Sequence, residues 1–426
     1  MDVVGVGAAG LPPAGTPERR LIDAADVLLG GSRHLASVPQ DHPGRRVPWP
    51  SPLRAGLPDL LAELTATEPA PRVVALASGD PLVSGIGTTL IETLGPDAVR
   101  LHPAVSSPAL ARARLRWPAE SCATVTVVGR DLGRLRRDLH PGARLIVLLS
   151  GPDDIGGVAR LALEEGYGDS ALAALVQLGG EDEERRDGTA REWASCPPRG
   201  LGDLCLLAID ARLDEGSEAR AVVPGLDDAA YENDGQLTKR HVRATALAHL
   251  APTPGALLLD LGAGAGSIGI EWARSHPRNR TVSVERDPAR AARIARNADA
   301  LGVGAQLRVV NASVSEALAG ADGATREAPD AVFLGGGVRQ ETLEAAYALL
   351  RPGGRIVAHG VTAETETLLV AAYKRWGGDL ARIAVETAEP IGSYLGWTPA
   401  RAVVQWSAVV RSPVAEAPNH PRSENA

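Results

Sequence analysis

The sequence predicts an α/β protein in two parts, and three observations predict it. Short apolar runs alternate with amphipathic ones along most of the 426 residues. Many of the apolar runs end in loops of Gly, Ser and Asp, the place where open parallel sheets bind ligands. A polar stretch with neither periodicity, Asp210 to Asp228, divides the chain near its middle. The length suggests two or three domains.

In chain order, Val3-Val4 leads into a glycine turn, Gly5 to Gly10. Thr16 suits an N-cap and Pro17 a first helical position, and that helix is expected to end near Ala25. Strands are then expected at Asp26 to Gly31, Val73 to Ala77, Val125 to Arg130, Arg144 to Leu149, Ala173 to Gly180 and Leu204 to Ile209. Asp80 suits a cap for the helix after Ser84-Gly85, and Ser106-Ser107-Pro108 suits another helix start. His34 and His102 lack metal-ligand spacing and read as polar loop residues. Arg130, Arg134, Arg136 and Arg137 read as a solvated helix face.

The second half is organised around Ala256 to Glu285. The apolar run Leu257-Leu258-Leu259 meets Asp260, then Gly262, Gly264 and Gly266 at alternate positions. An amphipathic run follows from Ile268, then an alternating run, Thr281 to Val284, closed by Glu285. Strand, glycine turn, helix, strand and terminal carboxylate is the arrangement that holds an adenosine ribose. Two ligands fit, a dinucleotide or S-adenosyl-L-methionine. Asp260 beside the turn repels a pyrophosphate and suits an ammonium, which favours S-adenosyl-L-methionine. Asp287-Pro288 starts a helix to about Leu301; strands are expected at Gln306 to Val310, Ala331 to Leu334 and Arg355 to His359. Leu380 to Glu386 and Ala402 to Val410 alternate, so an antiparallel pair is expected at a sheet edge. That ending argues for a class I Rossmann-like methyltransferase over a dehydrogenase. The domains expected are 1–212 and 230–410, with a linker at 213–229 and a disordered tail at 411–426.

Hydrophobic residues are 44% of the chain, enough for normal cores. With 44 Lys plus Arg against 52 Asp plus Glu the net charge is −8, and no basic tract marks a nucleic-acid partner. Cys122, Cys196 and Cys205 are scattered and odd in number. They indicate neither a disulfide framework nor a metal site and read as small buried residues. No signal peptide and no membrane span is read, so a soluble cytoplasmic protein is expected.

The turn Gly5 to Gly10 and the stretches LLGGSRHLA, ASGDP, HPAVSS, VVGRDL and LLSGPDD resemble the tetrapyrrole methylase family, in its cobalamin-pathway branch, over about residues 1 to 212. The resemblance implies two α/β subdomains with S-adenosyl-L-methionine in the cleft between them. It places Gly79, Asp80, Pro81, Ser84, Gly85, Ser106 and Ser107 on the cofactor and Gly7 near the substrate. Ala8 departs from the family, which usually has proline there or a Gly-Asp pair after it. Residues 230 to 410 carry NDGQLTKR, LDLGAGAGS, VERDPARAARIARNA and VFLGGG. They resemble the C15-methylating, decarboxylating family of the same pathway. That implies Gln236, Gly262, Ala263, Gly264, Ala265, Gly266, Glu285, Ala312 and Ser313 on the cofactor and Gly335, Gly336 and Gly337 near the substrate. Ser313 stands where that family usually has Asp and His359 where it often has Asn, so His359 is given no catalytic role.

Together the halves resemble the fused C5,C15-methyltransferase family of aerobic cobalamin synthesis. This implies two methylations of precorrin-6B (6Y), loss of the ring C acetate carboxyl to give precorrin-8X, and a homo-oligomer formed through the C-terminal domain. Lys239, Arg240, Arg243 and Arg339 are candidates to hold the tetrapyrrole's carboxylates, or else are exposed helix charges. Two other classes stay open: a nicotinamide-dependent oxidoreductase behind a binding module, and a cofactor-sensing regulator.

Overall fold

The computed structural model describes residues 1–66, 69–220, 224–320 and 323–411. The chain divides into two compact units, Met1–Leu132 with Asp138–Ala219, and Gly133–Arg137 with the chain from Arg220.

The first unit holds two sheets. In one, β1 (Asp2–Val6), β2 (Val27–Gly30), β3 (Arg45–Pro48), β4 (Val73–Ser78) and β5 (Arg100–His102) are all parallel, in the order β3-β2-β4-β1-β5. Val3, Val4, Leu28, Leu29, Ala75 and Leu76 are fully buried, as continuous apolar runs in a parallel sheet should be. The helix Pro17–Asp23 starts as its residues predict, with Thr16 Oγ1 accepting from Arg19 N at 3.2 Å. The second sheet holds β6 (Ala123–Thr126), β7 (Arg144–Leu148), β8 (Ala171–Val176), β9 (Glu184–Thr189) and β10 (Cys205–Asp210), in the order β6-β7-β10-β8-β9. Only β6 and β7 pair in parallel there. The strand β9 reads ERRDGT and carries no apolar signature. It forms because the edge of β8 needs backbone partners.

The second unit contains β11 (Leu257–Leu261), β12 (Arg280–Val284), β13 (Leu307–Val310), β14 (Ala331–Leu334), β15 (Arg355–Gly360), β16 (Asp379–Ile383), β17 (Glu386–Ile391), β18 (Tyr394–Pro399) and β19 (Val403–Val409). Seven of these form one sheet, β13-β12-β11-β14-β15-β19-β16, in which β19 is antiparallel to both neighbours. The expected antiparallel pair thus closes the sheet, in the class I arrangement. The insert between its strands forms a separate hairpin, β17–β18. No helix among the described residues is long and apolar enough to cross a membrane.

Several side chains stand differently from expectation. His102 lies on β5, its Nε2 2.8 Å from Asp2 Oδ1 on the adjacent strand. Arg134, Arg136 and Arg137 are half-buried on a 3-10 helix, Leu132–Arg137, where a solvated α-helical face was expected. Cys196 is exposed and Cys122 and Cys205 are only partly buried, because each follows or begins an element near its exposed end. Of the expected linker, Leu226 is buried and residues 221–223 lie outside the described residues, as does the expected tail from 412.

The largest correction is Arg243. Expected to meet substrate carboxylates, it is fully buried. Its Nε donates to Glu271, its Nη1 to Asp228 at 3.1 Å and its Nη2 to the Leu226 carbonyl. The guanidinium also lies 4.9 Å from the Tyr231 ring centroid. Glu271, on the wholly buried helix Ser267–Arg274, additionally accepts from Leu226 N at 3.1 Å and Tyr231 Oη at 3.0 Å. All three nitrogens of the guanidinium are engaged, tying Glu271 to the segment before the arginine's own helix. Removing one partner of a buried pair strands the other charge. Arg243→Met is therefore expected to lower the unfolding free energy of the second unit by about 3 kcal/mol in urea titration. The exposed Lys239, 3.6 Å from Asp228, should lose less than about 0.5 kcal/mol when replaced by Met.

Candidate active site

In the second unit the glycine turn lies between the carboxyl ends of β11, β12 and β14. The N–H groups of Gly262 and Ala263 donate to the Val284 carbonyl at 3.0 Å each. Gly264 N donates to Glu285 Oε2 at 2.9 Å, and Asp287 N to Glu285 Oε1 at 3.0 Å. Glu285 is buried at the end of β12, and each of its oxygens keeps a second lone-pair position for a diol. Gly262 has φ +70°, and a Cβ there would stand 2.7 Å from Gly336 N. Only glycine lets the turn and the Gly335–Gly337 loop after β14 meet. A Cβ on Gly264 would stand 2.9 Å from the Gln236 carbonyl, so Gln236 lies against the same turn.

The remaining expected residues of this half sort cleanly. Ala312 is half-buried in the loop after β13, where Asn311 Nδ2 donates to the Glu285 carbonyl at 2.9 Å. Ser313 is spent as the N-cap of Val314–Leu318; its N and Oγ both donate to Glu316. Ala265 and Gly266 are buried under the turn and shape it from below. Lys239, Arg240 and Arg339 are exposed at the starts of the helices Arg240–Leu250 and Gln340–Ala348. His359 is buried on β15, its Nε2 2.9 Å from Gln405 Oε1, and burial pulls its pKa down to about 4.

Asp260 does not line the turn as expected. It is wholly buried beneath it, with Gly269 N donating to Oδ2 at 3.2 Å. Its Oδ1 makes no hydrogen bond of normal length; the hydroxyl of Ser283, at the paired position on β12, lies near enough to favour the charged form slightly but does not offset burial. Burial, with the charge of Glu285 added, pushes the Asp260 pKa up to about 7. Neither Asp260 nor Glu285 has an ion-pair partner among the described residues. Two acidic side chains without an ion pair of their own suit a positively charged nucleoside, whose charge their field attracts.

In the first unit the loops after β1, β4 and β5 converge. A Cβ on Gly5 would stand 2.0 Å from the Gly79 carbonyl and 2.5 Å from Ala104 N. Gly79 N donates to the Val6 carbonyl at 2.9 Å, and Ala104 N to the Gly79 carbonyl at 3.1 Å. Ser106 lies against Gly79. Asp80 caps no helix; its Oδ1 accepts from Leu82 N at 2.9 Å, closing a local turn. Pro81 is buried, and its carbonyl packs under Gly85 and accepts from Gly87 N at 3.0 Å. Ser84 has φ +52° and is exposed, as is Ser107. Ser106 is the N-cap residue of Ser107–Leu115, without a side-chain cap bond. Gly7 ends in an isolated bridge to Gly10. His34, expected in a loop, is buried on the helix Ser32–Ala36, with its pKa pulled down to about 4 by burial and by the Arg33 charge.

Sequence reasoning missed Glu271 and Asn297. Asn297 Oδ1 accepts from Glu232 N at 2.9 Å while its Nδ2 donates to the Ala265 carbonyl at 3.0 Å. The signal for Glu271 was a lone acid among the apolar residues Ile268, Ile270, Trp272 and Ala273.

Comparison with known proteins places both halves of the chain in methyltransferase families. Residues 3–194 match the model described as tetrapyrrole (corrin/porphyrin) methylases, and residues 229–410 that of a precorrin methyltransferase domain. A precorrin-6Y C(5,15)-methyltransferase [decarboxylating] of Sinorhizobium sp is 41% identical over 96% of this chain and 95% of its own. That of Mycobacterium tuberculosis is 38% identical over 96% and 99%. The solved C-terminal domain of a precorrin-6Y C5,15-methyltransferase from Rhodobacter capsulatus is 40% identical, is covered completely by 45% of this chain, and gives a TM-score of 0.42. Nothing in these relatives supports the oxidoreductase alternative.

A carboxyl whose pKa is raised binds a proton in the folded state between about 3.8 and about 7 that the unfolded chain has lost. The cost of burying Asp260 therefore grows as pH rises through that window and is complete above it. In Asp260→Asn the new amide can donate to the Ser283 hydroxyl. The melting temperature of the ligand-free second unit is expected to exceed the wild-type value by several degrees at pH 8 and by little at pH 5, as scanning calorimetry would register.

Proposed function

The chain belongs to the decarboxylating precorrin-6Y C(5,15)-methyltransferase family, and on that premise we propose a division of labour between its units. The activity is S-adenosyl-L-methionine-dependent C-methylation with decarboxylation, in cobalamin biosynthesis. In the proposed division, residues 1–212 methylate C5 and residues 230–410 methylate C15 and release the carboxyl of the ring C acetate, giving precorrin-8X. The observation that carries the C-terminal part is Glu285, a buried carboxylate at a strand end beside a glycine turn.

The residues present suit the cofactor. Glu285 would hold the ribose hydroxyls, Gly262 to Gly266 and Gln236 would flank the nucleoside, and Ala312 and Ser313 would stand beside the base. In the N-terminal unit Gly79 to Pro81, Ser84, Gly85, Ser106 and Ser107 would do the same. Bound there, S-adenosyl-L-methionine supplies an electrophilic methyl on a sulfonium, already an excellent leaving group. What the chain must add is alignment of the acceptor carbon and exclusion of water. That fits loops packed backbone to backbone without a strong base among them. Asp260, beneath the turn, stabilises positive charge above it through its field. Decarboxylation leaves an electron pair that the conjugated ring can accept, so positioning again dominates. Lys239, Arg240 and Arg339 are the cations proposed to hold substrate carboxylates; Arg243 is not available for it.

The same reading has the chain work in the cytoplasm, where its unpaired thiols suit a reducing compartment. It also has the chain self-associate through the C-terminal unit. On the hairpin β17–β18, Ile391, Tyr394, Leu395 and Trp397 are 66%, 80%, 74% and 71% exposed. So many large apolar groups together on one short hairpin mark a surface that a like hairpin can cover.

Two measurements follow. Glu285→Ala is expected to abolish C15 methylation while C5 methylation persists, as mass spectrometry of the product would reveal; doubly methylated product at the normal rate would refute the cofactor assignment. In light scattering, the wild-type chain should run as an oligomer and Tyr394→Asp with Trp397→Asp as a smaller species. An unchanged mass would remove the hairpin as the interface.

A further inference from the structure

Arg33 is a half-buried cation held only by neutral acceptors. It stands on the helix Ser32–Ala36, directly after β2. Its Nη1 donates to the Gly7 carbonyl, beyond β1, at 3.4 Å. Its Nη2 donates to Ser78 Oγ, at the end of β4, at 3.2 Å, and to His34 Nε2 at 2.6 Å. Ser78 Oγ also lies 3.2 Å from His34 Nε2. Since β2, β4 and β1 are neighbours in the sheet, three adjacent strand ends converge on one guanidinium. They do so at the carboxyl edge, where ligands of parallel sheets bind.

No carboxylate pairs with Arg33 among the described residues. Burial pulls its pKa down from the usual arginine value, yet a guanidinium remains charged throughout the neutral range. A partly desolvated cation without an anion is costly to keep, and a fork of five N–H donors with three contacts has donors left over. His34 accepts from Arg33 through Nε2, so its ring must be neutral with the proton on Nδ1. Its low pKa keeps it so. The neighbours thus orient the fork without neutralising it.

We propose that Arg33 is a carboxylate anchor of the N-terminal site, gripping an acidic side chain of the tetrapyrrole, with His34 and Ser78 as positioning residues. This rests on the reading of the N-terminal unit as the C5 methyltransferase. Gly7, placed near the substrate by resemblance, is joined to the anchor through its carbonyl. The cofactor's methionine half offers the same carboxylate chemistry, so the test must separate the two sources.

The full chain is assayed with S-adenosyl-L-methionine carrying a 13C methyl, so that NMR resolves C5 from C15 product. Binding of S-adenosylhomocysteine is followed by calorimetry, and folding by thermal melting. Arg33→Met is expected to raise the tetrapyrrole KM for C5 methylation about ten- to hundred-fold. Its C15 methylation and S-adenosylhomocysteine affinity should stay within about two-fold of wild type. Arg33→Lys keeps the charge without the planar fork and should recover part of the loss. His34→Gln, which retains an acceptor, should stay near wild type, whereas His34→Leu should follow Arg33→Met in KM. If Arg33→Met melts early, Arg33→Lys and the His34 pair carry the comparison. An unchanged KM overturns the anchor, and so does a loss of S-adenosylhomocysteine affinity in place of the KM change, which would give the anion to the cofactor. Should the wild-type chain itself leave C5 unmethylated, the reading of the N-terminal unit falls and takes the anchor with it.

Discussion

The carboxylate of Glu271 sits inside a helix with every residue buried, and it is there to be filled. It accepts from the backbone of Gly225 and Leu226, from Tyr231 Oη and from Arg243 Nε. An ionised group at that depth is tolerable only with its lone pairs occupied. Gly225, Leu226 and Tyr231 belong to the segment that leads to Gln236, and Arg243 grips that same segment at Asp228 and Leu226, so satisfying the charge fixes its path. Asn297 fastens the same segment from the other side. The result is a Gln236 carbonyl against Gly264, in a place that neither helix propensity nor local turn chemistry would choose.

The two units solve one problem with different means. In each, loops at the carboxyl ends of parallel strands are brought together by glycines whose missing Cβ lets main chain touch main chain, Gly5 in one and Gly262 in the other. The electrostatics then diverge. The C-terminal turn is underlain by Asp260 and Glu285, which have no ion pair among the described residues, and so favours a cation. The N-terminal strand ends present Arg33 with neutral neighbours and so favour an anion.

Much of this was legible in the sequence. The periodicities gave the parallel strands, and Asp260, the alternate glycines and Glu285 marked the C-terminal turn, because those features are local. Three kinds of feature were not legible. The strand β9 has no pattern of its own and exists because a neighbouring edge must be paired. Arg243 looked like a surface cation because its partners, Glu271, Asp228 and the Leu226 carbonyl, lie elsewhere in the chain. His34 and Ser78 are 44 residues apart, and only the sheet order makes them neighbours. Burial and long-range pairing are properties of the folded whole, and a window of sequence does not contain them.

The place of β19 has a consequence for how the protein comes to be made. It is the last of the described strands in sequence, yet it lies between β15 and β16 and supplies both with backbone partners. During synthesis, β15 leaves the ribosome with one edge bare and β16 has no neighbour until residues 403–409 arrive. Exposed strand edges invite pairing with other nascent chains. The C-terminal half therefore stays open to misassembly until residues 403–409 have emerged, while the described strands of the first unit have all emerged by residue 210.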